Sequence, residues 1–421
     1  MTTYNITAPK KLRAHITLPA SKSISNRALI IHALAGGDTL PQNLSDCDDT
    51  DVIIRALEQM PPTIDIKAAG TSMRFMTALL ATTEHGKHII TGTERMQHRP
   101  IKVLVDALRH LGADIAYVGQ EGYPPLRING QRLQGGSLEI AGNVSSQYIS
   151  ALLMIGPMLL GGLTLRLTGD IISRPYIDLT LCTMREFGAK VEWTSVDTIS
   201  VHPTPYTSRP YLIENDWSAA SYWYEMVALS NDPEAEVVLE GLMDGSKQGD
   251  SSVRYLFSLL GVKTVFASKT PGVPTRVTLR KGAGRVRHLE YDFVNAPDLA
   301  QTLVCTCCAL GVPFHFTGLQ TLKIKETDRI EALKAELGKL GFEIKDINGR
   351  ELTWDGKTMP PAAAASSTGE HSINTYDDHR MALAFAPMAL RMPISIEHPE
   401  VVTKSYPRFW DDLRQAGFII E

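Results

Sequence analysis

Cysteine is scarce in this 421-residue chain, and it follows no pattern. The five residues, Cys47, Cys182, Cys305, Cys307 and Cys308, are odd in number and lack framework spacing. That excludes a disulfide scaffold and fits a reducing compartment. Three of them fall in the apolar run Leu303 to Leu310, where buried helix thiols are expected rather than a metal cluster. No apolar run is long enough to span a bilayer, since the longest, Ile149 to Leu163, is broken by Gly and Pro. Met1 to Leu18 has no secretory apolar core, so a cytoplasmic protein with no membrane partner is expected. Charge of one sign is also lacking. A formal net charge of −4 gives no global attraction to nucleic acid or a lipid surface, and any basic site must be local. What remains, 43% hydrophobic and 21% charged residues, is an ordinary globular composition, long enough for at least two domains.

The most informative stretch is Leu18-Pro19-Ala20-Ser21-Lys22-Ser23-Ile24-Ser25-Asn26-Arg27. Pro19 fixes a turn, Ser21 or Ser23 can cap a helix, and Ile24, Ala28, Ile31 and Ala35 recur at helical spacing up to Gly36-Gly37. Free N–H groups, hydroxyls, Lys22 and Arg27 therefore meet where a helix N-terminus already favours negative charge. This is a seat for a phosphate or carboxylate. It is not a P-loop, because the spaced glycines before Lys-Ser are missing.

One pattern runs through the whole chain: a helical run ending in Gly, then a short β-rich run. The stop glycines Gly112, Gly188, Gly261, Gly341 and Gly417 recur at near-constant spacing, and a degenerate copy over Ile54 to Ile66 has Pro61-Pro62 instead. Gly supplies the left-handed cap that stops a helix, and β-branched residues then resume a strand. The pattern predicts six copies of an α/β unit, arranged as two domains of three. The Pro-rich segment His202 to Pro210 marks a candidate crossing point, and the Pro/Ala/Ser-rich stretch Met359 to Gly369 reads as a surface loop.

Charged and polar groups cluster at other predicted helix starts. Lys325-Glu326-Thr327-Asp328-Arg329 opens an amphipathic helix with Ile330, Leu333 and Leu337 on its buried stripe. Asp377-Asp378-His379-Arg380 precedes the apolar run Met381 to Leu390, with no second ligand at metal spacing. Val144-Ser145-Ser146-Gln147-Tyr148 offers hydroxyls and an amide to an anion. Ala69-Gly70-Thr71-Ser72-Met73-Arg74, Arg99-Pro100 and Lys404 stand at further starts. An acidic protein that gathers cations in this way is expected to bind small, multiply charged anions.

Taken together, these motifs resemble the enolpyruvyl transferase family, in its branch that acts on shikimate 3-phosphate. The resemblance covers essentially the whole chain. It also rests on Ser173-Arg174-Pro175-Tyr176 and Pro297-Asp298. It implies a mixed α/β fold of two similar domains, each of three βαβαββ repeats in an inside-out α/β barrel, with the active site in the cleft between them. The domains implied are 20–213, and 1–19 plus 214–421. It implies transfer of the enolpyruvyl group of phosphoenolpyruvate to the 5-hydroxyl of shikimate 3-phosphate by a monomer, without metal or organic cofactor. Shikimate 3-phosphate would contact Lys22, Ser23, Arg27, Ser145, Ser146, Gln147, Ser173, Asp298 and Lys325. Phosphoenolpyruvate would contact Lys22, Gly70, Arg99, Gln147, Arg329, Arg380 and Lys404. Asp298 would accept the proton of the 5-hydroxyl and Glu326 would protonate the methylene carbon, a division that suits two carboxylates in different settings. Lys22 completes the catalytic set.

The chain departs from the family at Ala68 and Thr321, where many members carry Asn, so those two amide contacts are not carried over. The sister branch that uses UDP-N-acetylglucosamine has a Cys in the loop before Arg-Pro, whereas Glu84 to His98 contains none. An inactive anion-binding scaffold is the other alternative, and the joint presence of Asp298, Glu326 and Lys22 speaks against it.

Overall fold

The predicted stop glycines end helices as expected. In the computed structural model, which describes residues 2–268, 270–359 and 371–421, all five glycines have φ between +85° and +104°. After four of them the next amide reaches back five residues into the helix: Ala113 to Leu108 O, Ala189 to Met184 O, Phe342 to Leu337 O and Phe418 to Leu413 O, at 2.9–3.0 Å. Each bond satisfies a carbonyl that the helix leaves open, and so fixes the angle at which the next strand departs. The predicted loop over Met359 to Gly369 lies outside the described residues beyond Met359, which is exposed.

The chain forms two compact units, Ala20–Ile213 and Met1–Pro19 with Glu214–Glu421. The first contains two four-stranded sheets of one topology. Thr63–Asp65 lies parallel to Lys87–Thr91, Leu126–Asn129 pairs antiparallel with the latter, and Asp114–Tyr117 forms the edge. Gly136–Ala141, Leu163–Thr168, Thr198–Val201 and Val191–Trp193 repeat that order. Strict alternation in Leu163–Thr168, with leucines buried and Thr164, Arg166 and Thr168 exposed, gives each sheet one face for the core.

The other unit carries three more sheets of the same order. Two need strands from the chain's beginning. Arg13–Thr17 lies parallel to Glu236–Leu242, and Thr3–Thr7 is held between Ile394–Glu397 and Ile419–Ile420. The third runs Leu289–Asp292, Phe314–Thr317, Glu351–Trp354, Lys345–Ile347.

The degenerate sixth copy departs from the predicted repeat. Among the described residues it keeps the helices Lys22–Leu34 and Asp48–Gln59, but its sheet is reduced to one parallel bridge, Gln42 to Leu212. The link between the helices, Gly36 to Cys47, is polar and broken by Pro41, with no alternating β-branched run. Pro61-Pro62 stand in place of the stop glycine, Met60 supplies the left-handed cap, and the strand that follows, Thr63–Asp65, joins the next sheet.

In each unit the helices that are buried over most of their surface pack on one another, and the amphipathic ones lie toward solvent. Lys22–Leu34, Gly70–Thr82 and Ser146–Ile155 fill one core. Trp217–Leu229, Ala300–Leu310 and His379–Phe385 fill the other, with Cys305, Cys307 and Cys308 buried as free thiols. The run expected to be helical from Met381 to Leu390 turns into a 3₁₀ segment at Ala386–Leu390, because Pro387 lacks the N–H that the α-helix needs there. The predicted polar motifs at Ser21 to Arg27, Gly70 to Arg74, Ser145 to Gln147 and Asp378 to Arg380 therefore sit at the N-termini of buried helices.

Candidate active site

In the unit containing Glu214–Glu421, three helix starts bring charge together. Pro297–Leu299 presents Asp298 just before the buried helix Ala300–Leu310. Asp378 caps the helix His379–Phe385 by accepting from the Arg380 amide at 2.9 Å. Asp328 caps Arg329–Lys339 by accepting from the Ile330 and Glu331 amides. That cap turns Arg329 inward, where it is 1% exposed.

Arg329 is the hub. Its Nε donates to Asp378 Oδ2 at 2.7 Å, Nη1 to Asp298 Oδ1 at 3.1 Å and Nη2 to Glu326 Oε2 at 2.8 Å. Arg380 pairs with the second Asp298 oxygen at 2.9 Å and donates to Tyr222 Oη at 3.2 Å. Lys325 stands 3.5 Å from Asp298 and Lys404 3.0 Å from Glu326. Four cations thus share three carboxylates, leaving a local positive excess. Burial would raise the Asp298 carboxyl, but Arg380, Lys325 and Arg329 hold it well below the usual carboxylate range. Burial works against Arg329's charge, and Asp378, Glu326 and Asp298 more than restore it. Tyr222 is pushed up to about 12 by burial, against the pull of Arg380.

The unit Ala20–Ile213 has polar helix starts of its own. Ser21 caps the first helix by accepting from the Ile24 amide at 3.5 Å. Lys22 pairs with Asp49 at 3.2 Å. Arg27 is buried and donates to Thr180 Oγ1, the Ser23 carbonyl, Ser150 Oγ and the Tyr176 carbonyl, so most of its donors are spent within the protein. Burial lowers it to about 10. Gly70 begins the helix Gly70–Thr82 with the Arg99 guanidinium lying against it; a Cβ there would meet Arg99 Nη1 at 2.4 Å. Gln147 donates to Thr71 Oγ1 at 3.0 Å, joining the starts of two buried helices. Ser145 caps Ser146–Ile155, and Ser173 precedes Arg174–Glu186 with φ +55°, a conformation that an L-residue holds only under constraint.

Sequence reasoning did not assign Asp49, Asp378 or Tyr222. An acid in a first helical turn reads as ordinary dipole compensation, and a tyrosine in an apolar helix reads as core. Of the two departures, Thr321 lies in the 3₁₀ segment Gln320–Ile324 with its hydroxyl buried and unpartnered among the described residues. Ala68 lies just before the helix that begins at Gly70.

Solved structures share this architecture. An EPSP synthase from Acinetobacter baumannii superposes with a TM-score of 0.79 over the whole of both chains at 22% identity. The enolpyruvyl transferase NikO from Streptomyces tendae gives 0.70 at 16% identity, covering 100% of this chain and 98% of its own. At those identities the likeness establishes the fold, which is that of the enolpyruvyl transferases. Sequence goes further. A 3-phosphoshikimate 1-carboxyvinyltransferase of Bacteroides fragilis is 57% identical over 419 residues, 99% of this chain and 98% of the relative. One of Aliivibrio fischeri is 34% identical, with 97% of each chain covered. The chain belongs to the EPSP synthase (3-phosphoshikimate 1-carboxyvinyltransferase) family, whose model matches residues 6–65 and 60–413.

Proposed function

We propose that this enzyme transfers the enolpyruvyl group of phosphoenolpyruvate to the 5-hydroxyl of shikimate 3-phosphate, releasing phosphate. The observation that carries the reading is the Arg329 hub, which holds the two carboxylates the reaction needs, Asp298 and Glu326, within one set of cations. Arg380, Lys325 and Lys404 neutralise those carboxylates. An anionic substrate competes for the same cations. As they turn to its phosphate and carboxylate oxygens, Asp298 loses its partners and becomes a stronger base, suited to take the proton of the 5-hydroxyl. As Lys404 turns to the substrate, Glu326 becomes basic enough to take up a proton from solvent. It delivers that proton to the methylene carbon, and takes one back from the resulting methyl group as phosphate leaves with the proton held on Asp298. Lys22 with the remaining cations stabilises the phosphate through the tetrahedral intermediate.

In this reading shikimate 3-phosphate engages Lys22, Ser23, Ser145, Ser146, Gln147, Ser173, Asp298 and Lys325, with Arg27 acting chiefly to position Ser23. Phosphoenolpyruvate engages Lys22, Gly70, Arg99, Gln147, Arg329, Arg380 and Lys404. The two compact units are the two repeat-bearing domains of the family, and the enzyme works as a cytoplasmic monomer without metal or organic cofactor. Among the described residues no helix is long and apolar enough to cross a membrane.

Phosphate release measured in parallel with shikimate 3-phosphate and with UDP-N-acetylglucosamine, each with and without chelator, tests the assignment. Release is expected with shikimate 3-phosphate alone and unaffected by chelator; turnover of only the UDP-sugar would overturn it. Asp298→Asn and Glu326→Gln keep shape and remove proton transfer, so each should lower turnover about 10²–10⁴-fold in a folded enzyme. Near-normal turnover in either variant would strip that residue of its role.

A further inference from the structure

Just before the Asp378 cap the chain makes a turn that its residue types do not favour. The Asp378 amide donates to the Thr375 carbonyl at 2.8 Å, closing a turn over Tyr376 and Asp377. Both central residues are left-handed, with φ of +53° and +54°. Such positions ordinarily go to Asn and Gly, and a tyrosine there is an outlier that its surroundings must hold. The holder is Glu336, a carboxylate of the helix Arg329–Lys339 that the proposed chemistry does not use. It is fully buried. Its Oε2 accepts from the Asn374 amide at 3.1 Å and its Oε1 from the Tyr376 hydroxyl at 2.7 Å. The Asn374 side chain in turn accepts from the Tyr376 amide at 2.7 Å. Burial first, then the hydrogen bond to Glu336, pushes the Tyr376 phenol up, so it remains a donor.

Glu336 follows Arg329 at two helical turns, so the two side chains leave one face of the helix about 10 Å apart. Residues 374–378 are therefore fastened to that helix at both ends. Glu336 holds Asn374 and Tyr376, and Arg329 Nε holds Asp378 Oδ2 at 2.7 Å. Arg380 follows at once, its amide donating to Asp378 Oδ1 at 2.9 Å. Among the described residues Lys339 is the one cation paired with Glu336, and that lysine side chain is 46% exposed. A buried carboxylate met by a backbone amide and a phenol serves to select one geometry more than to add stability. We propose that Glu336 is a positioning residue for enolpyruvyl transfer: it imposes the left-handed turn that sets Asp378 against Arg329 and aims Arg380. The inference rests on the reading in which Arg329 and Arg380 take phosphoenolpyruvate. Without Glu336 the turn relaxes toward negative φ, and the two guanidinium groups lose their common reference.

Steady-state kinetics of the full chain with each substrate varied, beside calorimetric binding of shikimate 3-phosphate alone, test it. Glu336→Gln keeps the side chain's shape and removes its charge, whereas Tyr376→Phe removes one bond and leaves Glu336 in place. The kcat/KM for phosphoenolpyruvate should fall about 10–100-fold in Glu336→Gln, chiefly through KM, and about 2–10-fold in Tyr376→Phe. The Kd of shikimate 3-phosphate, whose proposed contacts lie outside the turn, should stay within about twofold. The double variant should be no worse than Glu336→Gln, because both changes undo one attachment. Should Glu336→Gln not fold, Tyr376→Phe decides by the same split. A parent enzyme that turns over neither substrate refutes the function, and the proposal with it. A parent that turns over normally, beside folded variants with its KM for phosphoenolpyruvate, overturns the positioning role alone. Equal losses toward both substrates would make Glu336 a structural residue only and overturn it too.

Discussion

Asp250 is a carboxyl that the proposed chemistry leaves idle, and its surroundings make it informative. It lies in the 3₁₀ turn Gly249–Ser252, buried, accepting from Ser218 Oγ through one oxygen while the other has no partner among the described residues. Burial first, then the nearby charge of Asp298, raise it to about 7, against the pull of Arg380. A folded-state value above the unfolded one of about 3.9 means the fold prefers the neutral acid. The stability contribution is therefore fully present below about pH 4 and is lost as the pH rises toward 7. Asp250→Asn should remove that loss, leaving the variant more stable than the parent at pH 8, by on the order of a few kcal/mol, and near equal at pH 4. Urea unfolding at the two pH values measures it; equal differences at both would mean Asp250 is ionised in the fold. The same residue scale marks the limit of what the sequence disclosed. Lys22, Arg329 and Arg380 were visible because helix starts announce themselves through caps and polarity. The pairings that hold them were not. Arg329 meets Asp378 across 49 residues of chain, and no local spacing encodes that meeting.

The repeat was legible because its signal is local: a stop glycine, its reach-back hydrogen bond and a resumed strand all fall within one decapeptide. The order of strands within each sheet was not, since pairing joins segments far apart in sequence, and the sixth copy looked whole in its helices while its sheet had shrunk to a bridge. Two of the stops separate conformational cost from steric cost. At Gly112, φ is +104° and an added Cβ would meet nothing within 4 Å. Gly112→Ala should therefore cost only the left-handed backbone penalty, about 1–2 kcal/mol. At Gly341, φ is +86° and the Cβ would also meet the Met359 carbonyl oxygen at 2.4 Å. Gly341→Ala should cost clearly more and loosen the bridge between Phe342 and Thr358. Chemical denaturation of both variants ranks them; a Gly112 variant as costly as the Gly341 one would show that the cap, not the clash, sets the penalty.

At the scale of the whole molecule, the chain's beginning is structurally part of its end. Thr3–Thr7 occupies an interior place in one sheet and Arg13–Thr17 an edge place in another, while their neighbours in sequence from Ala20 onward build a different unit. Ile6, Leu12, Ile16 and Leu18 are all buried in the core of the unit that contains Glu214–Glu421. At about 1.5–3 kcal/mol for each fully buried side chain, the four supply roughly 6–12 kcal/mol of gross burial, comparable to the net stability of a domain. Removing residues 2–11 takes Ile6 alone of the four, and it strips Ile394–Glu397 and Ile419–Ile420 of the strand between them, leaving backbone donors and acceptors unpaired at a core-facing edge. The expected outcome is selective. Limited proteolysis of the truncated chain should cut within 214–421 at concentrations that leave the parent intact, while a resistant fragment spanning 20–213 survives on its own core. The milder Ile6→Ala should cost about 2–5 kcal/mol, weakening the same unit without abolishing it. A truncated chain as resistant throughout as the parent would mean the first strand is dispensable and the unit closes on residues 214–421 alone. Loss of both units at once would mean that they unfold as one cooperative body.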